Sequence, residues 1–372
     1  MINLDHAATT PVRQEVLDAM LPYFCENYAN ASGMYGDARA ARKAIDESRK
    51  SIAQYINAQS SEIYFTSGGT EADNWAIFGA AFSRPDKRHI VTTQIEHHAV
   101  LNCCKQLEQY GYEISYIGTD QQGRVSVQEL KDSIRPDTAL VSVMLANNEV
   151  GTIQPVAEVA AYAHSKGILV HTDAVQAVGH IPVDVRELDV DLLSMSAHKF
   201  GGPKGIGALY IRSGVSIQSL IYGGAQERSL RAGTENTPAI VGFSKALAIA
   251  GENLEQLQMK ITALRNRFET QLSVLPGVHI NACEASRLPG HLHLSIDGFS
   301  SQMLLMRLDM MGIAASAGSA CASGSQERSH VVQAMGIAKE NQADIRFSIG
   351  ENNTEQEIDE AAKALKHILC RS

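Results

Sequence analysis

The residues able to do chemistry gather immediately after short apolar runs. Glu96-His97-His98 follow His89–Thr93, and Asn147-Asn148-Glu149 follow Ala139–Leu145. Thr172-Asp173, with Gln176 one turn on, follow Gly167–His171, and Ser196 with His198-Lys199 follow Asp191–Ser194. A fifth turn, Ser67-Gly68-Gly69-Thr70, joins the run Glu62–Thr66 to a helical pattern. A lysine that is desolvated or set beside cations forms a Schiff base with a carbonyl. A carboxylate at a neighbouring strand end holds a protonated pyridine nitrogen. A glycine turn that opens a helix presents free amides and a positive dipole end to a phosphate.

Taken singly, each feature has a plainer explanation. The Gly69-Thr70 turn alone is a helix cap, Lys199 alone is a solvated loop lysine, and His97 is either a satisfied structural histidine or a catalyst. Together, Lys199, Asp173 and Gly69-Thr70 meet three separate requirements of pyridoxal phosphate (PLP) chemistry, in which a protein supplies the amine, the ring-nitrogen partner and the phosphate site. The turn is neither a Walker loop nor a dinucleotide fingerprint, and no HExxH or GxSxG motif points to metalloprotease or α/β-hydrolase chemistry.

Cys321 sits in SAGSACASGS, a stretch without hydrophobic periodicity. It is expected on an exposed, mobile loop, which suits a nucleophilic thiolate that travels to its substrate. Arg346, in IRFSIG, is either a strand salt-bridge partner or a fork for a substrate carboxylate. The other cysteines, at 25, 103, 104, 283 and 370, fall in helical or turn contexts with structural explanations.

These residues need a scaffold that brings strand ends to one rim. From about residue 15 to 250, short β-branched runs alternate with helical patterns such as Glu71–Phe82 and Pro155–Ser165, the signature of a parallel α/β sheet with Gly207–Ile211 as a further strand. In such sheets ligands collect at the carboxyl ends of the strands. After about residue 250 come one long amphipathic helix (GENLEQLQMKITALRNRFETQL), the alternating strand beginning at His291, a strand over Asp344–Ile349 and a closing helix over Glu355–Leu369. The expected organisation is a large domain over 15–255 and a smaller α+β domain formed by 1–14 with 256–372.

Composition sets outer bounds. A length of 372 residues favours two domains with a cleft. A net charge of −9 argues against bulk attraction to nucleic acid or anionic membrane. No window of about twenty apolar residues occurs, the start is not signal-like, and the six cysteines show no CxxC or zinc spacing. The expectation is a cytoplasmic enzyme with reduced thiols and no metal.

LDHAATTP, FTSGGTEADN, IEHHAV, ANNEVGTIQP, HTDAVQA, SAHKFGGPKG, RAGTEN and GSACASG, in this order and spacing, resemble cysteine desulfurases of the NifS/IscS type, within the class V aminotransferase group of PLP enzymes. The resemblance spans nearly the whole chain. It implies the fold type I architecture of PLP-dependent transferases, with a mainly parallel sheet between helices in the large domain. By motif match, Lys199 carries the cofactor, Asp173 meets the pyridine nitrogen, Gln176 the ring hydroxyl and His97 the ring face. Gly69, Thr70, Ser196 and His198 hold the phosphate, and Thr234 reaches the phosphate of the partner subunit in a homodimer. Asn148 and Arg346 take the carboxylate of L-cysteine.

The implied reaction converts L-cysteine to L-alanine and leaves a persulfide on Cys321 for an acceptor protein, either an iron–sulfur scaffold or a tRNA- or cofactor-thiolation enzyme. A selenocysteine lyase or other PLP β-lyase of the same fold is the alternative, and a non-catalytic interaction platform a third. One departure stands out: where relatives commonly carry NPSSxH, this chain reads Asn30-Ala-Ser-Gly-Met-Tyr35.

Overall fold

The computed structural model describes residues 1–318 and 328–370; Cys321 lies outside the described residues. Twelve strands occur among those described: β1 Ile2–Asn3, β2 Ile63–Thr66, β3 His89–Thr93, β4 Glu113–Ile117, β5 Thr138–Ser142, β6 Leu169–Asp173, β7 Leu192–Ser196, β8 Gly207–Ile211, β9 Val278–Asn281, β10 His291–Asp297, β11 Ile313–Ala314 and β12 Gln342–Ser348. Seven of them form one sheet in the order β2-β8-β7-β6-β5-β3-β4. Pairing is parallel from β4 through β7, whereas β8 lies antiparallel between β7 and β2. Two reversals restore direction, so β2 and β7 end on the same rim as β3, β5 and β6. Gly207 opens β8 at that rim. A Cβ there would lie 2.5 Å from the Met195 carbonyl and 2.7 Å from the Gly68 carbonyl carbon, so only glycine lets the Ser67–Gly69 turn pass so close.

Both faces of this sheet are covered. Val91, Val141, Val170 and Leu193 pack in one buried cluster with Ile45 and Phe243, and Ile90, Leu140, Leu169 and Leu192 pack in another with Trp75 and Leu107. Strands buried on both sides read as continuous apolar runs, which is why they were visible in the sequence. A second, three-stranded sheet of order β12-β10-β9 is antiparallel. Its core gathers Leu294, Phe347, Phe268 and Leu365. Leu4 belongs to this core too, because β1 pairs with β11.

Several boundaries differ from the sequence expectation. The run 139–145 leaves β3 after Ser142, where the Met144 amide turns to the Glu96 carboxylate at 2.9 Å, while the amides of Val143 and Leu145 still donate to His171 O and Asp173 O of β6. The next strand starts at Leu169 and not Gly167, since Gly167 adopts a left-handed conformation (φ 67°) that closes helix Val156–Ser165. It ends on Asp173 itself. Likewise β7 runs two residues further than expected and ends on Ser196. The long helix expected from Gly251 is divided at Asn253 (φ −125°, ψ 20°) into Thr237–Glu252 and Leu254–Ser273. The edge strand β4 escaped notice because its residues are mostly half-exposed.

Candidate active site

Helix Gly69–Phe82 begins at the rim, and its first intrahelical bond is Ala72 N to Gly68 O at 3.1 Å. The amides of Gly69, Thr70 and Glu71 therefore precede the helical ladder and are available to an anion. The helix is held rigidly from behind: Trp75 is buried, edge-on to Tyr64 at 5.7 Å, with its indole N–H donating to Gln218 O at 3.0 Å. The acidic residue of its first turn, Glu71, is neutralised by Arg231 at 2.8 Å. Gly69 is buried against Val175 and Ser196, while Thr70 is exposed. Ser196 ends β7 beside this turn, and His198 follows it, hydrogen-bonded through Nδ1 to Thr9 Oγ1 at 3.1 Å. Burial, reinforced by Lys199 and Lys204, lowers the His198 pKa to about 4.

The Lys199 ammonium donates to two main-chain carbonyls, Ala7 O at 2.6 Å and Ala8 O at 3.0 Å. Gln176, on the turn after β6, donates through Nε2 to the same Ala7 carbonyl at 3.0 Å. The N-terminal segment thus lies directly against the lysine. Behind it, His180 Nε2 donates to Lys199 O at 2.9 Å.

Asp173 is buried at the end of β6, and its Oδ1 accepts from Val175 N at 2.9 Å. Burial raises its pKa, opposed by His97, the Val175 amide and Lys199. His97 is the N-cap of helix His98–Gln109 and accepts from Ala99 N through Nδ1 at 3.1 Å. That bond places the proton of a neutral ring on Nε2. Burial holds the His97 pKa below its ordinary value, against the pull of Asp173. Neutrality suits a ring that stacks on another.

Asn148 is buried, with an Oδ1 that makes no hydrogen bond, and its carbonyl accepts from Arg346 at 2.8 Å. The preceding Asn147 shapes this turn by accepting from the amides of Glu149 and Val150 and donating to Ile95 O. Arg346 is only 2 % exposed; its second terminal nitrogen donates to Asp5 at 2.7 Å, and its Nε makes no hydrogen bond. Of the two roles the sequence leaves open for Arg346, the Asp5 contact is the salt bridge. Thr234 stands exposed on the segment opened by Arg231 and is not drawn to the cluster.

Cys321 is named by sequence alone, but both flanks of its segment can be followed. Ser316 exchanges backbone hydrogen bonds with Arg346 at 2.7 and 3.1 Å. Ser329 donates to the buried Glu149, and His330 is hydrogen-bonded to Glu96 O at 3.0 Å and set edge-on to His98 at 4.9 Å. Both flanks therefore start from the rim. Of the remaining cysteines, Cys103 and Cys104 are buried on one helix, with burial pushing the Cys103 thiol up to about 12.

Glu96 was read in sequence only as a neighbour of His97. Its Oε1 accepts from Thr93 and Met144 N, its Oε2 has no partner, and burial pushes it up to about 8. The native state then keeps a proton that the unfolded chain loses from about 4.5 upward, so this contribution to stability fades as pH rises through 8. Glu96→Gln is expected to flatten the fall in apoprotein melting temperature across that window. Thermal unfolding of both proteins from about pH 5 to 9 checks this; parallel curves would refute it.

The donor set fits PLP. It offers an amine, a buried carboxylate, a neutral imidazole at a helix start, and a helix terminus free of uncompensated acid, all on one rim. The buried, unpartnered Asn148 Oδ1 marks a further polar position awaiting a ligand. A mainly parallel sheet carrying these groups at its carboxyl edge defines a PLP-dependent transferase of fold type I.

The chain belongs to the aminotransferase class-V family, whose model matches residues 2–361. It is 48% identical over 370 residues to "Cysteine desulfurase IscS" of Methanosarcina thermophila, covering 99% of this chain and 92% of that relative. It is 45% identical over 374 residues to "Putative cysteine desulfurase IscS 1" of Bacillus subtilis (strain 168), covering 100% of this chain and 99% of that protein. Among solved structures, a "NIFS-LIKE PROTEIN" superposes with TM-score 0.94 at 40% identity over 100% of both chains. "SspA in complex with cysteine" superposes with TM-score 0.84 at 34% identity, over 95% of this chain and 100% of that one.

Proposed function

We propose that this protein is a PLP-dependent cysteine desulfurase that converts L-cysteine to L-alanine and carries the sulfur away as a persulfide on Cys321. The observation that carries the reading is the meeting of Lys199, Asp173, His97 and the Gly69 helix terminus on one sheet edge. When bound, PLP supplies an electron sink for charge developing at the substrate Cα. Gly69, Thr70, Ser196 and His198 would hold its phosphate, Asp173 its ring nitrogen, Gln176 its ring hydroxyl and His97 its face. Gln176 keeps Oε1 for that role, since Nε2 is spent on Ala7.

Lys199, once its amine is free, moves a proton at the substrate Cα; the carbonyls of Ala7 and Ala8 orient its ammonium. Asn148 and Arg346 orient the substrate carboxylate. The Cys321 thiolate attacks the substrate sulfur: the S–S bond forms as the Cβ–S bond breaks, and the electron pair left on carbon is protonated on the way to alanine. Transfer to an acceptor, an iron–sulfur scaffold or a thiolation enzyme, completes the cycle.

A homodimer belongs to the same proposal. Thr234 is exposed in the single chain, close in sequence to the exposed Leu220, Ile221 and Tyr222, as a residue that serves a partner's phosphate would be. The division into 15–255 and 1–14 with 256–372 is supported by Leu4 joining the core of the smaller sheet. No described helix is long and apolar enough to cross a membrane; a cytoplasmic location remains part of the proposal.

The test is direct. Purified protein should retain a yellow chromophore, borohydride reduction should fix PLP on Lys199 by mass, and cysteine should yield equimolar alanine and transferable sulfur. Protein that binds no PLP would overturn the reading. For substrate binding, Arg346→Lys removes the guanidinium fork, and loss of one charged hydrogen bond at about 1.5–3 kcal/mol predicts a KM for cysteine about 10- to 100-fold higher. Initial rates against cysteine concentration decide, and a fall in kcat at constant KM would refute the assignment.

A further inference from the structure

Beneath the rim lies a second buried carboxylate that the mechanism above does not use. Asp73 projects from the second turn of helix Gly69–Phe82 and is 1 % exposed. Single ligand atoms of Asp73, Asp173 and His97 lie within 4.8 Å of one another. Asp73 Oδ1 accepts no hydrogen bond. Its nearest basic neighbour is no counter-ion: His171 Nε2 stands 3.6 Å away, beyond hydrogen-bonding distance. Burial brings the His171 pKa down to about 3, so the ring is neutral. That ring is instead engaged by two hydroxyls, Ser142 Oγ at 2.9 Å and Ser194 Oγ at 3.0 Å.

The other titratable groups facing Asp73 come from the neighbouring elements. Asp173 and Glu96 are acidic, Cys103 on the adjoining helix is a thiol held neutral by burial, and His97 is neutral. Two carboxylates this close in a dry site cannot both ionise cheaply. Burial first, and then the Asp173 charge, push the Asp73 carboxyl well above its ordinary range, with only the Ser194 hydroxyl opposing.

We infer that Asp73 is a positioning residue: a carboxyl group set behind Asp173 that supports the Asp173 carboxylate as a hydrogen-bond donor, so that a single negative charge faces the pyridine nitrogen. The inference rests on the PLP reading and deepens it. A neutral donor fixes Asp173 and keeps it ionised, whereas a second anion would double the negative field on the ring and be expelled as a charge from the core.

The experiment compares wild type, Asp73→Asn and Asp73→Leu as purified holoenzymes. Its readouts are the PLP dissociation constant, the pH titration of the visible absorption band, and the infrared carbonyl band of a protonated carboxylic acid. Asp73→Asn keeps a neutral donor, so PLP affinity should stay within about twofold and the titration unchanged, while above about pH 8, where the Glu96 acid has ionised, the remaining acid band disappears. Asp73→Leu removes the donor and should weaken PLP binding about tenfold or more and shift the titration.

If Asp73→Asn weakened PLP as much as Asp73→Leu, or if the wild type showed no acid band above about pH 8, the inference would fall, because the residue would be acting as an anion. Should Asp73→Leu not fold, the Asp73→Asn titration and the infrared band still decide. A wild type without any PLP chromophore would instead sink the proposed function.

Discussion

Replacing Lys199 by Ala should lower alanine formation from cysteine by about 10³-fold or more, the scale lost when a positioned amine no longer moves the proton. PLP itself should still bind, because Asp173, His97 and the Gly69 helix terminus stay in place, but it should be removable by dialysis and give no borohydride-stable adduct. The ammonium of Lys199 is held by the Ala7 and Ala8 carbonyls, which lose a donor in the variant. A modest loss of thermal stability should therefore accompany the loss of activity. Added small primary amines should restore part of the rate if the loss is chemical. A variant that keeps a tenth of the wild-type rate would mean that another group moves the proton.

Replacing Cys321 by Ser should have a comparable effect on sulfur transfer and none on the cofactor. Serine lacks the polarisable thiolate that attacks sulfur, so alanine formation from cysteine should fall by about 10²-fold or more. The absorption spectrum and PLP affinity should match the wild type, since none of the groups proposed to hold the cofactor is altered. Alkylation and mass spectrometry after cysteine treatment should find an added sulfur on Cys321 in the wild type and on no cysteine in the variant. Cys103 and Cys104 are buried, and added sulfur on the exposed Cys25, Cys283 or Cys370 in the variant would mean that another thiol takes the sulfur. Undiminished turnover would remove Cys321 from the mechanism. Retained turnover of selenocysteine with loss on cysteine would favour the lyase alternative.

How much of this was legible in the sequence depended on what kind of group did the work. Side chains at the ends of buried strands announced themselves: Asp173, Ser196 and Asn148 follow continuous apolar runs that only a covered sheet explains. Main-chain groups carry no residue signature. Nothing in Ala7-Ala8 foretold that their carbonyls would hold Lys199, because alanine identity says nothing about where a carbonyl points. Long-range pairs were hidden for a related reason: Asp5 and Arg346 are 341 positions apart, and only the pairing of the chain's first residues with its last strands brings them together. Asp73 looked like one more polar residue on a helix, and its burial became visible only once the helix was packed against β6 and β7. The exposed edge β4 and the break at Asn253 lacked a strong hydrophobic period on which to rest.

The placement of β1 has a consequence for the order of assembly during synthesis. Residues 2–8 are made before the rest of this fold, yet Leu4 bonds to Ala314 and Ser348, and Ile2 pairs with Ile313. The β1 end of the segment that embraces Lys199 thus lacks its pairing strands until some three hundred later residues have been made, although Ala7 and Ala8 can already meet Gln176 and Lys199. Contacts of such sequence separation form late, after the large sheet has had time to fold. The carbonyls that hold the lysine are therefore fixed from their N-terminal side only once β11 and β12 exist, so the working orientation of the amine is among the last features of the fold to be secured.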